Sequence, residues 1–115
     1  MPIVTRDEIR LTEVRMDGVS KTAKANVIGP LQGWSVDMLR VFRINLGGFT
    51  PRQQHDWEHV YYIMKGKGAL TIDGETREVI AGDFALVPPN TMHQFRNPSD
   101  EDFEFICIVP ERGAY

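Results

Sequence analysis

The sequence has three histidines, and all fall in two short segments, Gln53-Gln54-His55-Asp56-Trp57-Glu58-His59 and Met92-His93-Gln94. Imidazole is the commonest side-chain metal ligand. A residue type confined to two such segments is read here as one metal site built from His55, His59 and His93. His55 and His59 share parity, so an extended chain points both to one side. His93 lies 34 residues after His59, enough chain for two hairpins to fold back. Three neutral nitrogens would leave a divalent ion its full charge and open positions for a substrate. Imidazoles suit zinc, copper, iron and nickel.

One rival pattern lies in the same residues. His55-Asp56-Trp57-Glu58-His59 matches His-x-x-Glu-His, a zinc-protease motif that requires a helix. The flanks argue against a helix: Gly47-Gly48-Phe49-Thr50-Pro51 precedes the motif, and the β-forming Val60-Tyr61-Tyr62-Ile63 follows. No Gly-x-Ser-x-Gly elbow or phosphate-binding glycine loop is present. Cys107, on an apolar segment, reads as a small buried hydrophobe.

The elements that must carry these residues read as strands broken by turn signals. Lys21 to Ile28 is one, stopped by Gly29-Pro30. Trp34 to Leu46 is the longest, with Trp34, Val36, Met38, Phe42, Ile44 and Leu46 on one face, interrupted by Arg40 and ended by Gly47-Gly48. His59 to Lys65 follows. Ala69 to Ile72 and Thr76 to Ile80 flank Asp73-Gly74, a hairpin signal. Phe84 to Val87, Thr91 to Arg96 and Phe103 to Val109 complete the series. The last is apolar on both faces after Glu104, so a second sheet or another subunit covers it. Regular short strands predict an all-β sandwich or barrel. Residues 1–18 form an N-terminal arm in which Arg6 to Arg15 is a short helix or an edge strand. Residues 19–115 form a single domain.

The 115 residues suffice for one core. Net charge is −3 with both signs interspersed. The absence of a basic stripe argues against nucleic acid as a partner. No apolar run approaches the ~20 residues that cross a bilayer. The N-terminal residues lack the order of a signal peptide, and a lone cysteine fits a reducing cytoplasm.

The two histidine segments resemble the motifs of the cupin family. The first motif is Gly, five residues, His-x-His, three or four residues, Glu, six residues, Gly. The chain has Gly47, five residues, Gln53-Gln54-His55, three residues, His59, six residues, Gly66. The second is Gly, five residues, Pro-x-Gly, two residues, His, three residues, Asn. Here it is Gly82, five residues, Pro88-Pro89-Asn90, two residues, His93, three residues, Asn97. Asn90 replaces a glycine but tolerates the left-handed conformation. Gln53 stands where the family has a histidine ligand, and His59 where it has a glutamate. The chain is similar in particular to cupins with an all-histidine site.

The resemblance implies a jelly-roll β-barrel (a double-stranded β-helix) and a homodimer. It implies one divalent transition metal per chain, with manganese added to the candidates, held by His55, His59 and His93. Gln53 is then a weak fourth ligand through its amide oxygen, or a group that orients bound water.

Parity predicts the pocket lining: Tyr61 and Ile63 with His59, Phe95 with His93, and Phe105 and Cys107 on the last strand. Arg40 would anchor a substrate carboxylate or sit in an ion pair. Such a pocket suits a small apolar or aromatic molecule. The function that the resemblance implies is a metal-dependent, dioxygenase-type enzyme acting on a small organic substrate. The alternatives are a non-catalytic cupin that binds a small ligand, and a metal-dependent isomerase or lyase.

Overall fold

The computed structural model describes residues 2–114. Nine strands form one antiparallel sheet that curls on itself. They are β1 (Thr12–Glu13), β2 (Ser20–Ile28), β3 (Asp37–Phe49), β4 (His59–Lys65), β5 (Lys67–Ile72), β6 (Glu75–Ile80), β7 (Phe84–Val87), β8 (His93–Arg96) and β9 (Phe103–Pro110). The strand order is β6-β5-β8-β3-β9-β4-β7, with β2 also paired to β3 and β1 to β2. This is the all-β, jelly-roll fold that the strand pattern and the two motifs predict. Among the described residues no helix is long and apolar enough to cross a membrane.

The turns follow their residues. Asp73 and Gly74 both adopt positive φ, 49° and 82°, as a two-residue hairpin of this type requires. Asn90 takes the left-handed conformation at φ 59°. The 6–15 region holds both alternatives in small pieces: a 3-10 turn at Arg6–Glu8, then β1 on the edge of β2.

The two largest differences from the sequence reading lie at the ends of β3. Trp34 and Val36 lie outside β3, and Val36 is exposed. The Pro30–Gln32 turn ends at Gly33 in the left-handed region, φ 96°, which delays the strand to Asp37. Nor do Gly47-Gly48 end the strand. Gly47, at φ 78°, bends it, and it runs on to Phe49, where it pairs with Arg96 of β8. One 13-residue strand thus joins β9 at its first part to β8 at its end. That bend brings the His93 strand toward the His55–His59 segment.

The inward face is a ladder of rows. Met38 opposes Val109; Arg40 opposes Cys107, which opposes Tyr61; Phe42 opposes Phe105, which opposes Ile63. Phe95, Phe103 and Phe105 are almost fully buried, and Phe95 stacks on Phe105 with ring centroids 4.3 Å apart. The outward face repeats the ladder with apolar residues. One row is Leu39, Ile108, Val60 and Leu86; the next is Val41, Ile106, Tyr62 and Phe84. Among the described residues no second sheet covers the β4–β7 end of these rows, where Phe84 is 76% and Leu86 57% exposed.

Candidate metal centre

From Pro51 to Val60 burial alternates residue by residue, so the segment is extended although only its last two residues belong to a strand. Gln53, His55, Trp57 and His59 turn inward; Gln54, Asp56, Glu58 and Val60 turn out. This disposes of the helical protease reading, because Glu58 faces away from the histidines. The segment is tied at three points. Gln53 exchanges both backbone hydrogen bonds with His93. The Asn90 N–H donates to the His55 carbonyl. His59 opens β4 opposite Val87. Asn97, at the end of the second motif, is fully buried. Its amide donates to the Ile44 and Glu101 carbonyls, both at 2.8 Å, locking β8 to β3.

The three imidazoles converge, and one nitrogen from each lies within 4.8 Å of the others. His93 Nδ1 lies 2.9 Å from the Thr91 carbonyl. A carbonyl only accepts, so Nδ1 carries the proton and Nε2 keeps its lone pair. Nε2 of His59 and Nε2 of His93 are buried with no hydrogen-bond partner. A buried ring nitrogen without a partner costs free energy, and two of them side by side fit one ion. Bonds of about 2.0–2.1 Å allow two nitrogens on one ion to lie at most ~4.2 Å apart. Small side-chain rotations close the remaining gap.

His59 is held down at about 3, first by burial and then by His93, Arg40 and His55. His55 is lowered by burial, with His93 and Arg40 adding and Asp56 opposing. Burial also lowers His93, against the pull of the Thr91 carbonyl. All three are therefore neutral donors at pH 7, the form that binds a metal.

His55 is the least buried of the three and is held by stacking. Trp57 lies parallel to it, with centroids 4.4 Å apart and 3° between planes. The Arg112 guanidinium covers Trp57 at 4.9 Å and donates to Asp56 Oδ1 at 2.9 Å. Gly113 is required beside the indole, since a Cβ there would meet the Trp57 ring at 2.5 Å.

A cavity of about 200 Å³ opens over the histidines. Gln53, Arg40, Tyr61, Phe95, Phe105 and Cys107 line it together with the three histidines. Ile63 does not: it is fully buried in the core on the row beyond Tyr61. Burial raises the Cys107 thiol in spite of the nearby Arg40, so it stays protonated. Burial likewise raises Tyr61 well above the usual phenol value.

The sequence reading missed part of the wall. Phe42 was within reach, since it shares a face with Arg40. Lys24 and Thr22 of β2 were not, because their place depends on a β2–β3 register with two irregularities. Val14 and Met16 also line the cavity, so the N-terminal segment closes one side of it.

A family model for the cupin domain matches residues 40–109. The 1-methylthio-D-xylulose 5-phosphate methylsulfurylase of Rhodospirillum rubrum is 34% identical over 71 residues. That match covers 62% of this chain but only 46% of the relative. An uncharacterised protein of Methanocaldococcus jannaschii is 38% identical over 107 residues, 92% of this chain and 76% of its own length. Among solved structures, the polyketide cyclase RemF from Streptomyces resistomycificus superposes with a TM-score of 0.89 at 28% identity. That superposition covers 96% of this chain and 79% of that one. The matched span runs from Arg40 on β3 to Val109 on β9 and contains both histidine segments, and the chain belongs to the cupin family.

Proposed function

We propose that the chain is a mononuclear metal enzyme acting on a small organic molecule, with His55, His59 and His93 as its ligands. The observation that carries the reading is the pair of buried, unpartnered Nε2 atoms on His59 and His93. A transition metal bound there polarises oxygen atoms of a substrate or, if redox-active, supports oxidation by dioxygen. Gln53 shares the His93 side of the sheet, as a weak fourth ligand or as a group that orients water. Tyr61, Phe95 and Phe105 keep the site dry, which strengthens every charge interaction in it. His93 is held in one tautomer by Thr91 and His55 in one orientation by Trp57, which limits how far either ring turns on binding.

The reaction class we favour is dioxygenase-type oxidation, because three ligands on one side leave room for substrate and dioxygen together. A redox-neutral reading, isomerisation or ring closure, draws on the likeness to a polyketide cyclase. The experiment that separates them loads the protein with iron, manganese or zinc and offers diketones, catechols and thiols with and without air. Oxygen uptake that tracks substrate loss supports oxidation. Equal turnover under nitrogen, with zinc as good as iron, supports the redox-neutral reading. Tight binding without turnover under any condition leaves a ligand-binding cupin.

We also propose that the chain acts as a homodimer. The apolar rows of β9, β4 and β7 end in the exposed Val60, Tyr62, Phe84 and Leu86. A contiguous apolar sheet face of this kind marks an association surface.

A further inference from the structure

The cavity holds a second cationic feature that a metal does not account for. Arg40 is only 7% exposed. Its one side-chain hydrogen bond runs from Nη2 to Cys107 Sγ at 3.3 Å, and its Nε is buried without a partner. Its guanidinium lies 4.9 Å from the Phe42 ring centroid. Among the described residues, ion pairs use Arg15, Lys65 and Arg112 but not Arg40. A buried, uncompensated cation is strongly unfavourable. No aspartate or glutamate lines the cavity, whereas half-buried Lys24 does, from the strand beside Arg40. With three neutral imidazoles, everything charged in this cavity is positive, in a chain whose net charge is −3.

The ladder relates the two features. Arg40 opposes Cys107, and Cys107 opposes Tyr61. His59 stands two residues before Tyr61 on the same face of β4. Arg40 and His59 therefore stand one row apart on one wall, and His55 and His93 line the same cavity. A guanidinium presents a planar fork of donors that matches a carboxylate with two parallel hydrogen bonds. The cavity of about 200 Å³ falls below the roughly 300–1,000 Å³ of drug-sized sites. Five aromatic residues, Phe42 and Phe105 among them, supply much of the apolar remainder of the wall, beside the aliphatic Val14, Met16 and Val19.

We infer that Arg40, assisted by Lys24, holds the carboxylate of the substrate, and that the substrate is a small aromatic or unsaturated organic acid. Its apolar body lies against Phe42 and Phe105. Its reactive end faces His55, His59 and His93, an orientation that rests on the proposed metal centre. The carboxylate site itself stands without that centre.

Titration calorimetry of the full chain with benzoate, benzamide and inorganic phosphate tests the inference, on zinc-loaded wild type and on His93→Ala. Benzoate is expected to bind about tenfold or more tighter than its neutral isostere, as two charge-assisted hydrogen bonds imply. The preference persists in His93→Ala and disappears in Arg40→Met. Lys24→Met, on the outer strand β2, weakens benzoate roughly threefold. If Arg40→Met does not fold, Lys24→Met decides, and unchanged benzoate affinity there overturns the inference. Benzoate no tighter than benzamide overturns it, as does phosphate binding tighter than benzoate. A preference seen with zinc but lost in His93→Ala assigns the carboxylate to the metal and overturns it, while the proposed function stands. Arg40-dependent preference in a protein that binds no metal sinks the proposed function and keeps the carboxylate site.

Discussion

Among the described residues His55 has no hydrogen-bond partner that orients its ring; a stack does that work. Trp57 covers the ring, and Arg112 with Gly113 covers Trp57. Groups that orient a ligand without touching the metal typically carry 10–100-fold in affinity. Trp57→Ala is therefore expected to weaken zinc binding by about that factor, measured against a chelator of known affinity, while Trp57→Phe recovers most of it. Equal affinities in all three proteins would mean the stack is idle. The pKa shifts make a separate prediction. The folded state holds His59 at about 3, and the unfolded chain titrates at about 6.5. Between those values the unfolded chain binds more protons, so stability falls as pH falls. The urea midpoint of metal-free protein should be level from pH 8 to 7 and decline from about 6.5 downward. His59→Gln should flatten the part of that decline lying above pH 5. A midpoint that rises on acidification from pH 7 to 5 has the wrong sign for buried neutral imidazoles.

At the scale of elements, Asn97 shows why the second motif ends as it does. One buried amide satisfies the carbonyls of Ile44 and Glu101 and accepts from Ser99. Asn97→Ala strands the buried Ile44 acceptor and removes one of two bonds to the Glu101 carbonyl, and urea unfolding should report a loss of about 1–3 kcal/mol; a loss within error would mean water replaces the amide without cost. Much of this architecture was legible beforehand. Strand-forming residues placed β4 at His59–Lys65, flanking turn signals placed β7 at Phe84–Val87, and Asp73-Gly74 marked the hairpin, because local propensity and turn chemistry decide those features. Motif spacing brought His55, His59 and His93 into one group for the same reason. The bend at Gly47 was read as a stop, since a glycine pair signals either and only the strand beyond it decides. Lys24 and Met16 reach the cavity through long-range pairing, and Ile63 drops out of it by one row of the ladder. Neither fact has a local signal. Trp57 was visible as a residue but not as a support for His55, because its role depends on Arg112 and Gly113 more than fifty residues away.

The whole molecule buries a cationic cavity on one face of a curled sheet and leaves apolar rows on the other. If the second face joins two copies, Phe84→Glu places a charge in the middle of the contact. Light scattering after size exclusion should then report dimers for wild type and monomers for the variant, with unchanged β-sheet circular dichroism. A monomeric wild type at micromolar concentration contradicts the dimer. Both proposals for the cavity, the enzyme and its acidic substrate, describe the surroundings of a single ion. The central claim is therefore that ion and its three ligands. Elemental analysis of protein reconstituted with zinc or manganese and then desalted tests it most directly. Equimolar metal is expected in wild type and near-complete loss in His93→Ala, with the fold intact in both. Full occupancy in His93→Ala, or a wild type that retains no metal, would contradict it.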